Sequence, residues 1–176
     1  MRFHHTKLAG VFGISLDTIP DERGFFARSW CREEFRSHGL NPNLAQCNIS
    51  FNTHQGTLRG MHYQAPPFPE AKLVRCTKGA IYDVVVDLRR DSPTCTQWIA
   101  VHLSAADRNM VYVPEGCGHG FLTLEDGAEV FYQMSEFFHP ESARGVRWND
   151  PQFQIEWPGE VRVMSERDRS YPDFGR

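Results

Sequence analysis

Residues 72–90 read KLVRCTKGAIYDVVVDLRR. Two short strand-like runs rich in apolar and β-branched residues, KLVRCTKG and AIYDVVVDLRR, adjoin at Gly79. The same texture continues on either side. LAQCNISFN and TLRGMHYQ precede the stretch, and QWIAVHLS, MVYVPEG, HGFLTL and AEVFYQMS follow it. Each run is β-branched, aromatic or alternating, and Gly, Pro, Asp, Asn or Ser separates it from the next. Turn signals recur about every 8–12 residues, the spacing of an all-β sandwich or barrel. No repeat, low-complexity tract or linker breaks the pattern. It predicts a single domain over residues 1–176, an all-β double-sheet jelly roll with one or two short helices. One helix is expected in SWCREEFRSHGL, with Ser29 as N-cap and Gly39 past its end. A second is expected to start at Ser165, where SERD sets Asp168 at the third helical position in a weak capping-box arrangement.

A chain of 176 residues supplies one sizeable core and is too short for two. Its 19 Lys and Arg against 22 Asp and Glu leave a net charge of −3. That balance gives no electrostatic footprint for nucleic acid, and no basic run suits a membrane surface. Any bound anion must therefore be held by locally placed cations. Cys31, Cys47, Cys76, Cys95 and Cys117 are scattered and never spaced Cys-x-x-Cys. Reduced thiols are expected rather than a disulfide framework or a zinc ribbon. The opening MRFHHTKLAGVFGIS lacks a signal peptide's apolar core, and no long apolar run follows, so a soluble cytoplasmic protein is expected.

Several residues carry chemistry that the strand pattern does not require. In TLRGMHYQ a period of two puts Gly60, His62 and Gln64 on one face and Met61 and Tyr63 on the other. Gly60 marks a close approach to the backbone and leaves space beside His62. On residues alone, His62 reads equally as a hydrogen-bonded core or surface histidine. Lys72 opens its strand after the proline-rich APPFPEA and reads as a solvated edge lysine. Tyr132 sits in an alternating strand as a half-buried tyrosine would, and Asp168 reads as a capping acid. VPEGCGHGF contains Pro114, Gly116 and His119 as P-x-G-x-x-H, which resembles the second half-motif of cupins. The first half-motif would need His-x-His and a Glu, whereas this chain has His62-Tyr63-Gln64 with Glu70 beyond three prolines. With two convincing histidines only, no metal is expected, since transition-metal sites take three or four protein ligands.

Taken in order, DERGFFARSW, LAQCNIS, GTLRGMHYQ, KLVRCTKGAIYDVVVDLRRDSPTCTQW, LSAADRNMVYVPEGCGHGFLTL, AEVFYQ, HPESARGVRWNDP, IEWP and SERD resemble the dTDP-4-dehydrorhamnose 3,5-epimerase family over nearly the whole chain. The resemblance implies a cupin-like jelly-roll homodimer that works without metal or cofactor. It would invert carbons flanking the ketone of a nucleotide-linked 4-keto-6-deoxy sugar. His62 would be the base, Asp168 its partner and Tyr132 the acid on the opposite face. Lys72 would stand beside the C4 oxygen, with Arg59 and His119 lining the pocket. Arg23, Phe26, Arg28, Gln46, Asn48, Glu141 and Arg167 would fall at or near the nucleotide, and Phe138 would stack on the base. The chemistry is coherent, because a C–H beside a ketone is a weak acid and the enolate oxygen needs a fixed cation. A neutral imidazole suits the base, and a carboxylate on its other nitrogen would fix the tautomer.

Two positions depart from the family pattern. Phe138 replaces a more usual tyrosine, and Arg28 stands where many members carry a glutamate. Thymine offers an N3–H that a carboxylate accepts, whereas cytosine offers an N3 acceptor that a guanidinium satisfies. Arg28 thus reads either as the mark of a CDP-linked substrate or as a partner for a phosphate or a neighbouring acid, with dTDP the default. Whether C3, C5 or both invert is open, and a metal-dependent cupin enzyme or a non-catalytic sugar-nucleotide module are the competing classes.

Overall fold

The computed structural model describes residues 1–175. Within the described residues thirteen strands run in chain order as β1 (Arg2–His5), β2 (Phe12–Ser15), β3 (Thr18–Asp21), β4 (Gly24–Ala27), β5 (Gln46–Asn52), β6 (Leu58–Gln64), β7 (Lys72–Lys78), β8 (Ala80–Asp87), β9 (Trp98–Ser104), β10 (Met110–Val113), β11 (Cys117–Thr123), β12 (Ala128–Met134) and β13 (Ala143–Gly145). Six pair in the order β1-β2-β10-β7-β12-β5 and five as β13-β6-β11-β8-β9, while β3 and β4 form a separate two-stranded hairpin. The named strand pairs are antiparallel. Two sheets face to face make the expected jelly roll.

The stretch KLVRCTKGAIYDVVVD supplies β7 and β8, which sit inside different sheets. Val74 and Cys76 meet Ile81, Val85, Val111, Val130 and Phe121 in the core between the sheets. Alternate residues Val84 and Val86 face the other way and pack under Met61, Val146 and Phe153. Burial on both faces explains why β8 is a nearly unbroken apolar run rather than an alternating one. Leu73, Tyr112 and Phe12, from the outer face of the six-stranded sheet, bury Phe35 of α1 (Arg32–Ser37).

That helix is shorter than expected. Cys31 is its N-cap, with an extended backbone (φ −153°) and no side-chain cap bond, so Ser29 does not cap it. Trp30 packs against Phe35 instead, holding the chain before Arg32 extended. The end is as read: Gly39 has φ +71°, Leu40 N–H donates to Phe35 O and Gly39 N–H to Arg36 O, the bond pair of a Schellman motif.

Asp87 closes the β8–β9 connection with a fully buried side chain that accepts from Arg89 Nε (2.8 Å) and Thr94 Oγ1 (2.7 Å). Burial alone would raise its carboxyl, but the bonds from Arg89, Ser92 and Thr94 outweigh it and bring the pKa to about 2, from 3.8. The depressed value means that the charge contributes stability above pH ~4 and loses it as pH falls towards ~2. Asp87→Asn is expected to cost about 2 kcal/mol in urea unfolding at neutral pH, a gap that narrows between pH ~4 and ~2.

Candidate active site

Between the sheets opens a cleft of two lobes that share His62, Lys72 and Tyr132 as lining residues. One lobe, of about 380 Å³, is also bordered by Gln46, Asn48, Phe138, Arg144, Arg167 and Tyr171. The other, of about 440 Å³, is bordered by Arg59, His119, Phe121 and Ile49 to Phe51. His62 and Arg59 come from β6, Lys72 from β7 and Tyr132 from β12, so both sheets contribute to the shared floor.

Plain alternation would put Arg59 and His62 on opposite faces, yet both border the cleft. The register explains it: His62 lies opposite His119 and Arg59 opposite Phe121, so Gly60 and Met61 together face the single residue Gly120. This bulge shifts the phase of β6 by one residue. Gly60 and Gly120 make it feasible, because a Cβ on Gly60 would lie 2.6 Å from Gly120 Cα and one on Gly120 would lie 2.7 Å from Met61 Sδ. The close approach expected at Gly60 is thus made by the neighbouring strand. The glycine does not itself open space for a ligand; it brings Arg59 round to the histidine's side.

His62 Nε2 lies 2.7 Å from Asp168 Oδ1. Asp168 is carried by α2 (Glu166–Arg169), whose N-cap Ser165 accepts the Asp168 N–H at 3.1 Å. Only half of a capping box forms, since the carboxylate turns away to His62 and to Gly60 N–H (3.3 Å). Burial would raise the Asp168 carboxyl, but the His62 bond prevails and holds it below its ordinary value. An ionised carboxylate only accepts, so Nε2 is the donor to Asp168, and in a neutral imidazole the lone pair is then on Nδ1. His119 repeats the arrangement with Asp83, 2.8 Å away and fully buried. Desolvation pushes the Asp83 carboxyl up, against the pull of His119 and Lys72.

Lys72 is not the solvated edge lysine its strand position suggests. Strand β7 lies between β10 and β12, and Nζ is buried 2.8 Å from Glu70 Oε1, itself buried. Burial, with the Glu70 carboxylate nearby, raises the Tyr132 phenol and keeps it protonated near neutral pH. Arg59 is anchored across the cleft, its Nε donating to Asn52 Oδ1 at 2.7 Å.

Of the residues picked from sequence, His62, Lys72, Tyr132, Gln46, Asn48, Phe138, Arg167, Arg59 and His119 line the cleft, with Asp168 behind His62. Four do not. Arg23 is exposed on the β3–β4 hairpin and paired with Asp21, and Phe26 is exposed on β4. Glu141 is exposed beside His139. Arg28, exposed beyond the hairpin, donates to Glu34 Oε1 at 2.9 Å, the neighbouring acid that was one of its readings. Glu70, Asp83, Arg144 and Tyr171 were missed. Asp83 had a signal, as the charge inside the apolar run AIYDVVV, whereas Tyr171, edge-on to the His62 ring at 5.7 Å, had none. Among the described residues, no group of three or more His, Cys, Asp or Glu is placed to hold a metal ion.

Proton transfer to and from carbon is the chemistry this cleft is equipped for, and a jelly roll so equipped is an isomerase of the epimerase class. The chain belongs to the dTDP-4-dehydrorhamnose 3,5-epimerase family, whose sequence profile matches residues 5–175. It is 40% identical over 173 residues to the dTDP-4-dehydrorhamnose 3,5-epimerase of Methanothermobacter thermautotrophicus, covering 97% of this chain and 92% of that one. The crystal structure of the Elizabethkingia anophelis NUHP1 dTDP-4-dehydrorhamnose 3,5-epimerase superposes with a TM-score of 0.96 at 36% identity, covering 99% of this chain and 96% of the other. The Legionella pneumophila dTDP-6-deoxy-D-glucose-3,5-epimerase, solved in complex with dTDP-4-keto-L-rhamnose, gives 0.91 at 34% identity over 98% and 92% of the two chains.

Proposed function

We propose that the protein inverts C3, C5 or both in a dTDP-linked 4-keto-6-deoxyhexose. The observation that carries this reading is the Asp168-backed His62 sharing one cleft with the buried Lys72 ammonium and the protonated Tyr132 phenol. His62 Nδ1 takes the proton from the carbon beside the ketone. As the C–H bond breaks, charge gathers on the C4 oxygen, where Lys72 stabilises it. Tyr132 then returns a proton to the other face of the same carbon. Inversion leaves the oxidation state unchanged, so the step requires neither oxidant nor reductant, and side chains alone supply its proton transfers. The lobe with Gln46, Asn48, Arg167 and Phe138 takes the nucleotide, its guanidinium suited to phosphate. The Legionella relative's bound dTDP-sugar supports thymidine, and Glu34 gives Arg28 a partner that involves no base.

The same reading includes a homodimer in the cytoplasm. Exposed Phe25 and Phe26 on the hairpin, and Ile49 and Phe51 on the edge strand β5, are apolar surface that a second copy would cover. Arg23 and Phe26 then reach a nucleotide only in the other copy's cleft. Five free cysteines fit a reducing compartment.

NMR of the purified protein with dTDP- and CDP-linked 4-keto-6-deoxyglucose in D₂O tests the reading. Deuterium is expected at C3, C5 or both of the dTDP sugar and at least about tenfold more slowly in the CDP sugar, with light scattering giving the mass of two chains. No α-exchange in either sugar would overturn the function. A CDP preference would overturn the nucleotide assignment, and a monomer mass the dimer.

A further inference from the structure

The lip of the nucleotide lobe, Phe137 to His139, belongs to no strand, yet its main chain is held by side chains from both sheets. Gln64 of β6 donates from Nε2 to Phe137 O (3.1 Å) and accepts His139 N–H on Oε1 (2.7 Å). Gln46 of β5 accepts the Phe138 N–H between them at 2.9 Å. The second Gln64 N–H reaches Phe68 O (3.0 Å), and the Phe68 ring stacks on His139 at 3.7 Å and 7°. Gln64 is 2% exposed, so water does not compete for these bonds. Its amide orientation follows from its partners, because a backbone N–H must meet the oxygen and two carbonyls must meet the NH₂.

The function assigned above uses the Phe138 ring, half exposed over the lobe, and leaves Gln64 without a role. Stacking depends on a ring's offset and tilt, and a ring carried on an unpaired loop would have to be ordered each time a ligand bound. We infer that Gln64 is a positioning residue for nucleotide recognition: it presets the backbone that presents Phe138 to the base. The inference rests on the reading that the nucleotide occupies this lobe.

A double-mutant cycle on dTDP affinity, read by calorimetry, tests it. Gln64→Met matches the length of the side chain but leaves all three backbone groups unpaired. It is expected to weaken dTDP about tenfold, with KM rising in step and a smaller loss in kcat. Combined with Phe138→Ala, it should add less than about twofold to the loss from Phe138→Ala alone, since both act through one ring. Should Gln64→Met fold poorly, Gln64→Glu keeps the His139 bond, loses both donors and is expected to behave alike. Losses that multiply, or an undiminished affinity in the Gln64 variants, would overturn the inference. Undiminished affinity in Phe138→Ala would instead remove the nucleotide from this lobe, and the inference with it.

Discussion

Replacing His62 with alanine is expected to slow α-proton exchange by roughly 10²–10⁴-fold, the range that a general base contributes. The side chain lies at the meeting of the two lobes and is 39% exposed, so a fold-wide collapse is not expected from its loss. Asp168→Asn probes the same proton from behind. The amide keeps the shape of the buried carboxylate and loses the charge that steadies an imidazolium, and its NH₂ can turn towards Nε2 and select the wrong tautomer. A loss of roughly 10²–10⁴-fold is expected here too, with dTDP affinity retained within about threefold, because Asp168 lies behind His62 and lines neither lobe. Deuterium exchange by NMR and dTDP titration separate the two effects. Exchange in His62→Ala as fast as in wild type would remove the base from the mechanism.

Strands β7, β8 and β12 were legible because apolar, aromatic and β-branched residues there run long enough to show a pattern. RFHH, FGIS, TIPD, GFFA and ARG were not, since three or four residues mixed with Gly, Pro and His become strands only through the partners they meet. The residues proposed as catalytic were found by resemblance, and their geometry was not foreseeable. Alternation assigns Arg59 and His62 to opposite faces, and only the bulge against Gly120 reverses that. Lys72 reads as an edge residue until β10 and β12 are known to flank β7, and Glu70 gains its role only when Lys72 is buried. Gln64 falls on the His62 face as read, but two of its three partners, Phe137 O and His139 N–H, lie more than seventy positions away in a loop with no sequence signal.

Tyr132→Phe is expected to separate two events that the wild type couples. The ring packs against the core between the sheets, and phenylalanine keeps that packing while removing only the hydroxyl. Without it the enolate can still form, because His62, Asp168 and Lys72 are untouched. The proton on His62 exchanges with solvent through the open cleft and returns to the face it left. Deuterium should therefore enter the substrate within about tenfold of the wild-type rate while configuration is retained, and net inversion should fall by roughly 10²–10⁴-fold. Proton NMR in D₂O reads both quantities in one sample, from loss of the α-proton signal and from the coupling constants of the product. Inversion at the wild-type rate would exclude Tyr132 as the acid. Loss of exchange together with inversion would place the phenol earlier, as a hydrogen-bond donor to the developing enolate oxygen.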